Sequence, residues 1–457
     1  MTHIVRLGLV PAYLLLCLVL GGASAAGFWS NLVLQLVALA LIFWSLVAER
    51  STPLSTSSRQ AGAILLLTLL LIALQLVPLP PALWTALPGR APVAEGYALL
   101  GRPLPWLPLS LEPYRTIDSA LWLLPAVAVF LGIARLGAFK ASWMGWILAG
   151  TTLVSVAIGA LQVAGGTESR WYFYKITNYD AMTGFFSNAN HLATLLVATI
   201  PFLTALYLSA VRRGRSVQKS SALLVILIGT LVVVFVGILV NRSIAGIGLS
   251  VPVLAASGLL LLSRKRRLPV WAAPLMGVLL VGSVAAAFST PFNNNLTGDQ
   301  SRTAEDSRRI SFARTAAAAA DFAPLGSGIG TFQQVYRERE DPAQVGRFFM
   351  NHAHGDYLEL ALETGLPGLL VLLLFLAWWT RRTIALWRAE EADYFARAAT
   401  IASAAILAHS VVDYPLRTAA IGAVFAMCCA LMAEPRAKVR RAQAQPADKQ
   451  ARHLSAD

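Results

Sequence analysis

The stretch "MNHAHGDYLELALETGLPGLLVLLLFLAWW", Met350 to Trp379, sets two halves of opposite character side by side. Its second half, "LLVLLLFLAWW" from Leu369, carries no charge. Its first half gathers two histidines, an aspartate and two glutamates. The apolar half decides the fold, because runs like it recur from end to end and many approach the ~20 residues that a bilayer core demands. The chain is 57% apolar and 13% charged, with a mean hydropathy of +0.63. A soluble globular chain has about a quarter of its residues charged. These numbers exclude an ordinary soluble domain.

Twelve spans are predicted: 7–26, 28–48, 61–80, 117–139, 143–164, 189–211, 222–241, 244–263, 270–290, 365–380, 396–413 and 418–433. Each is apolar around its circumference, and backbone groups in lipid must be satisfied within the segment, so the spans are helices. The expected fold class is all-α: a polytopic membrane protein of about twelve transmembrane helices with one large, partly helical outer loop. The first run is read as a span and not a cleaved signal, since another span follows at once. Cys17, Cys428 and Cys429 all fall inside predicted spans, as small core residues.

Basic residues set the direction. One side carries 23 Lys and Arg, with "RRGRSVQK" (Arg212–Lys219), "RKRR" (Arg264–Arg267), "RRTIALWR" (Arg381–Arg388) and the tail among them. The other carries 14, and seven of those lie in one long loop. Long loops cross regardless of charge, so both termini are expected in the cytoplasm. The net charge of +14 is then mostly topology, with the tail free to touch anionic lipid, and no nucleic-acid surface is expected. The expected organisation is 1–290 for the first nine spans, 291–364 for a large outer loop, 365–433 for three more spans and 434–457 for a basic cytoplasmic tail.

Polar stretches of the outer side are where chemistry is expected. Loops beyond ~15 residues are uncommon unless functional. In "NRSIAG", Arg242 sits at a turn between two spans, either snorkelling to interface water or clamping an anion. In "SRRISFARTAAAAADFAPLGSGIGTF", Arg308 and Arg309 offer planar forks that match phosphate oxygens in pairs, or are simply solvated. "GSGIG" lacks P-loop spacing and follows a helix, so a phosphate cradle is not expected there. "GFFSNANHLA" brings Asn188, Asn190 and His191 to the start of a span, where Ser187 or Asn188 can cap the helix. "HSVVDYPLR" brings His409, Asp413 and Arg417 to another span end, as interfacial caps or as site residues. A zinc site from His352, His354 and Asp356 is conceivable, but a histidine at a membrane boundary is more naturally a proton acceptor.

Taken in order, these motifs resemble the O-antigen ligase and polymerase superfamily of bacterial membrane glycosyltransferases. "SLEPYRT" (Ser110–Thr116), "GFFSNANHLA", "NRSIAG", "PLGSGIGTF" and "HGDYLELALETGLPG" look like that family's signatures in its own order, and the last two are the most specific. Ala189 stands where the family usually has Pro, and Gly355 where Asn is common. The resemblance implies an inverting, metal-independent transfer with no cofactor at the periplasmic face of the inner membrane. The donor would be a glycan on undecaprenyl diphosphate, and the acceptor a hydroxyl of a glycan or of lipid A-core. It implies His354 as the base, with His352 in reserve, and Arg242 with Arg309 or Arg308 on the diphosphate. Asn188, Asn190, His191, Tyr357 and Arg417 would support the pocket. Asp356, Glu359 and Glu363 would fix the helix.

A lipid-linked glycan flippase is the alternative. It would place paired polar residues in mid-span and show internal symmetry between halves. Neither is visible in the sequence.

Overall fold

The computed structural model describes residues 3–24, 27–48, 53–213, 217–263, 272–287, 299–342, 350–391 and 393–434. Most of it is helix and strand is almost absent among the described residues, so the chain is an all-α polytopic membrane protein. A helix stands on each of the twelve apolar segments: α1 (His3–Leu20), α2 (Phe28–Val47), α3 (Thr56–Gln75), α6 (Pro113–Ala134), α7 (Ala141–Gly165), α8 (Ala189–Arg212), α9 (Val217–Asn241), α10 (Ile244–Leu262), α11 (Ala272–Ala287), α14 (Asp356–Arg388), α15 (Tyr394–His409) and α16 (Ala419–Ala433). Between α3 and α6 lie the short helices α4 (Pro81–Trp84) and α5 (Ala91–Leu99) and a two-residue antiparallel pair, β1 (Pro78–Leu79) with β2 (Leu107–Pro108). Between α11 and α14 lie α12 (Asp299–Asp321) and α13 (Phe332–Arg337).

Among the described residues, eight helices are long and apolar enough to cross a membrane. The other four segments carry shorter helices, such as the 16 residues of α15 and the 15 of α16. At 1.5 Å per residue, 15 residues reach roughly 23 Å, short of a ~30 Å hydrocarbon core.

One element end differs from expectation. The eleventh apolar run was expected to stay helical to Asp413, yet α15 stops at His409. The segment Ser410–Asp413 turns instead, and its carbonyls at Ser410 and Asp413 accept from the Asp356 amide at 2.9 and 3.2 Å. Helix α14 is two helical stretches that meet at a break at Gly365 (φ 57°, ψ −149°), the residue at which the tenth apolar run was expected to open. A Cβ there would run into the Pro324 carbonyl, so close chain packing requires glycine.

Helices α8, α15 and α16 are the most enclosed, with α15 packed along α8 and α16 along α6. The alanines of α15 ("ARAATIASAA") and the small residues of α16 ("AAIGA") let backbones approach closely, which is how helices associate where lipid is as apolar as leucine. The outer faces of α2, α3 and α9 keep leucines and valines such as Leu36, Leu70 and Val225 exposed, as lipid-facing surfaces do. A second, smaller core forms around Phe322, Phe332, Val335, Tyr336 and Leu362, where α12 and α13 pack against the start of α14.

Candidate active site

The glycine-rich loop after α12 is a docking element. The amides of Ser327 and Gly328 donate to the carbonyls of Leu362 and Glu363 at 3.0 and 2.9 Å. Those of Ile329 and Gly330 donate to Gln75 Oε1 at 2.9 Å and Glu363 Oε1 at 2.8 Å. The donors a phosphate cradle would need are therefore spent within the protein. The glycines are there for proximity: a Cβ on Gly326 would fall 2.7 Å from the Glu363 carbonyl, and one on Gly330 2.6 Å from the Arg115 carbonyl. "SLEPYRT" completes the joint, since Leu111 N donates to Ser327 O at 2.9 Å and Thr116 Oγ1 to Ile329 O at 2.7 Å.

Arg417 stands behind this joint. Asp356, Glu359 and Glu363 line one face of α14, and all three turn to its guanidinium. The contacts are Nε to Asp356 Oδ1 at 3.5 Å, Nη1 to Glu359 Oε1 at 3.3 Å and Nη2 to Glu363 Oε2 at 3.1 Å. Burial alone would favour the neutral form, but the three carboxylates hold Arg417 protonated well above the ordinary arginine range. The remaining carboxylate oxygens are also engaged: Glu359 Oε2 by Ala353 N at 2.9 Å, Glu363 Oε1 by Gly330 N, and Asp356 Oδ2 by Leu416 N at 3.4 Å. Satisfied on every side, the cluster meets the condition under which buried charge is tolerated.

The histidines sit on top of it. His352 Nδ1 lies 2.9 Å from Glu359 Oε1. His354 Nδ1 lies 3.6 Å from Asp413 Oδ1, an electrostatic contact longer than a hydrogen bond. His354 is in the left-handed region (φ 55°), a conformation costing a non-glycine residue ~1–3 kcal/mol that persists only where the surroundings over-determine it. Gly355, extended, then feeds the chain into α14. The Tyr414 ring is shared: His352 packs on it at 4.4 Å between centroids, His354 at 5.1 Å and His191 at 5.0 Å. The Tyr414 hydroxyl accepts from Asn188 Nδ2 at 3.4 Å and Asn351 Nδ2 at 3.5 Å. Burial and the charge of Asp413 keep that hydroxyl protonated, its pKa raised. Burial would raise the Asp413 carboxyl too, but His354, His191 and His409 outweigh it and hold Asp413 well below the usual carboxylate range.

The start of α8 forms the opposite wall. Asn188 caps the helix, its Oδ1 accepting from Asn190 N at 2.8 Å, while its Nδ2 reaches Tyr414. The half-buried Asn190 follows, and His191 is fully buried with neither ring nitrogen bonded among the described residues. One turn deeper, Thr194 Oγ1 meets His409 Nδ1 at 2.8 Å. The α9–α10 turn docks here through Asn241 Nδ2, which donates to Ala189 O at 2.9 Å and Met182 O at 2.7 Å. That contact fixes the neighbouring Arg242, which is exposed, left-handed (φ 60°) and in no ion pair among the described residues.

The residues singled out in the sequence thus divide. His352, His354, His191 and Asn188 converge on Tyr414, while Arg242 stands two contacts away. Arg417 is present but neutralised. Tyr357 gives its hydroxyl to the Leu407 carbonyl at 2.7 Å, tying α14 to α15. Arg308 and Arg309 fall on the first half of α12, where side chains lie outside the described residues. Asp356 faces Arg417 and not the two histidines, and among the described residues no group of three or more His, Cys, Asp or Glu could hold a metal ion.

Residues 229–373 match the O-antigen ligase family model. The matched stretch runs from α9 through Arg242, the glycine loop and both histidines into α14. No curated protein matches the sequence. The match supports a membrane glycosyltransferase of the O-antigen ligase or polymerase type, acting on glycan at a lipid bilayer. His191, Asp413, Tyr414 and Arg417 all lie outside the O-antigen ligase match, yet the fold presses them against its histidines. Tyr414 and Gln75 were not anticipated: neither belongs to a periodic pattern, and only tertiary contact reveals them.

Proposed function

We propose that this protein transfers a glycan from a lipid diphosphate to an acceptor hydroxyl, with His354 as general base. The observation that carries this reading is the histidine pair itself. Each Nδ1 faces a carboxylate, which orients the ring and leaves Nε2 for the substrate. His354 is the better placed, its side chain 22% exposed against 13% for His352, and by resemblance it is the better match to the family's histidine. His352, bonded through Glu359 to Arg417, positions the loop.

In the step itself, the acceptor O–H proton passes to His354 Nε2 as the oxygen attacks the anomeric carbon. The bond from that carbon to the diphosphate oxygen breaks, and the lipid diphosphate departs with the bonding pair. Attack from the face opposite the leaving group inverts the anomeric centre. The charge gathering on the diphosphate calls for preorganised cations. Arg242 suits this role because it is exposed and in no ion pair among the described residues, and Arg309 and Arg308 are proposed for the same role. The donor's hydrocarbon chain has a ready neighbour in a cleft of about 660 Å³ lined by Leu20, Phe28, Trp29, Phe173, Ile176 and Phe185. The loop forming one wall of that cleft leads directly into Asn188. The proposed setting is the periplasmic face of the bacterial inner membrane, with the domain division set out from the sequence.

The test is transfer in liposomes from glycan-loaded undecaprenyl diphosphate to a purified acceptor. Wild-type protein is expected to release undecaprenyl diphosphate, and His354→Ala is not. Transfer by His354→Ala at the wild-type rate would overturn the base assignment. Deletion strains separate the two acceptors. Lipid-linked polymer beside bare core means ligase, and single repeats on core mean polymerase.

A further inference from the structure

At the other end of α14 lies a second, unrelated feature. From the break at Gly365 to Arg382 the helix rises roughly 26 Å at 1.5 Å per residue. Here a groove of about 440 Å³ opens between the first turn of α3 and the last turns of α14. Arg381, Arg382 and Arg388 line it, with Thr56, Ser57 and Gln60 opposite and no carboxylate among the lining residues. Its floor is rigid: the buried Trp378 donates Nε1 to Ser57 Oγ at 3.1 Å. Arg382 is partly committed, giving Nη2 to the Met432 carbonyl at 2.7 Å. Arg381 and Arg388 are exposed and in no ion pair among the described residues.

We infer that this groove binds the phosphate headgroup of an anionic phospholipid. Of the three arginines lining this concavity, Arg382 also faces the Glu434 carboxylate, which accepts from Ser55 N at 2.9 Å; Arg381 and Arg388 are left to meet an anion, and their planar forks match phosphate oxygens in pairs. The surface leading away from the groove argues for a lipid and not a soluble anion. Leu66, Leu67 and Leu70 of α3 and Leu370, Leu373 and Leu374 of α14 are exposed, giving acyl chains an apolar wall below the headgroup. The asymmetry of basic residues assigns this end to the cytoplasmic leaflet, where anionic lipids concentrate. The inference stands apart from the proposed transferase.

Purified full-length protein in mild detergent is offered phosphatidylglycerol or phosphatidylethanolamine, and bound lipid is counted by native mass spectrometry. Three proteins are compared: wild type, Arg381→Gln/Arg388→Gln, and Arg212→Gln/Arg213→Gln, which removes two exposed charges at the end of α8, outside the groove. The groove variant is expected to retain phosphatidylglycerol at least about tenfold less well, equivalent to ~1.4 kcal/mol. Phosphatidylethanolamine retention, and phosphatidylglycerol retention by the control variant, stay at the wild-type level. Equal phosphatidylglycerol retention by all three proteins overturns the site. An equal loss in both variants also overturns it, in favour of diffuse charge. Displacement of the lipid by the same concentration of inorganic phosphate overturns the choice of lipid over a free anion. Unchanged elution on size exclusion shows that each variant is folded.

Discussion

Glu359 Oε1 meets Arg417 Nη1 at 3.3 Å and His352 Nδ1 at 2.9 Å, so one carboxylate oxygen joins the buried cation to the histidine loop. The loop geometry therefore depends on a residue 58 positions further along the chain.

Removing Arg417 tests that dependence. Arg417→Ala strands three carboxylates in a buried setting, and breaking such a cluster costs ~3–5 kcal/mol. The expected result is a lower melting temperature in detergent and loss of transfer. Arg417→Lys recovers little, since a single ammonium cannot face three carboxylates in fixed directions. A stable, active Arg417→Ala protein would show the cluster to be dispensable.

Gly365→Ala tests the joint with the glycine loop. The side chain meets the Pro324 carbonyl in a backbone region almost confined to glycine. Destabilisation of at least ~1–3 kcal/mol is expected from the backbone alone. Thermal unfolding followed by tryptophan fluorescence measures it. Gly62→Ala, on α3 with open space around the glycine, serves as the neutral comparison.

His354→Ala and His352→Ala separate the two histidines. Loss of a general base lowers turnover ~10²–10⁴-fold. His354→Ala is expected to fall in that range with its melting temperature little changed. His352→Ala is expected to lose stability as well, because it removes one of the partners of the buried Glu359 and leaves Arg417 and the Ala353 amide to hold that carboxylate alone. The reverse pattern would transfer the base to His352.

Arg242→Ala is expected to lower the rate ~10²–10³-fold, the usual result of deleting one stabiliser of developing charge. Because the side chain is exposed and in no ion pair among the described residues, the melting temperature should not move. An unchanged rate would return Arg242 to the role of an interfacial anchor.

Asp413 gives a signed pH prediction. Its folded-state pKa is depressed. Its contribution to stability is therefore complete above the unfolded carboxyl value, ~3.9, and is lost as pH falls toward the folded value. Wild-type melting temperature should drop below about pH 4, and Asp413→Asn should flatten that drop while starting lower at neutral pH. Parallel acid limbs in the two proteins would contradict this.

The helical fold was legible because twelve apolar runs in a chain 13% charged admit little else. The histidine pair and Arg242 were legible as polar residues in places where polarity is costly. The end of α15 was not. "HSVVDYP" continues its apolar pattern through Val411 and Val412, and the helix stops at His409 where the Asp356 amide takes the Ser410 and Asp413 carbonyls. That interruption is what drops Asp413 and Tyr414 among the histidines. The glycine loop was legible as a turn, while its partners, Gln75, Leu362 and Glu363, lie far away in sequence. The charged trio on α14 was expected to fix the helix, but its cation could not be assigned from spacing.

The ion pair between Arg417 and Glu363 spans 54 residues and bears on how the protein is made. Synthesis runs from the N-terminus, so both histidines leave the ribosome well before Asp413, Tyr414 and Arg417. Until the last hairpin, α15 with α16, docks into the bundle, the histidine loop has neither its second carboxylate nor its shared ring. The proposed chemistry is thereby deferred until α15 and α16 have entered the membrane, and a chain released before them would be embedded but silent.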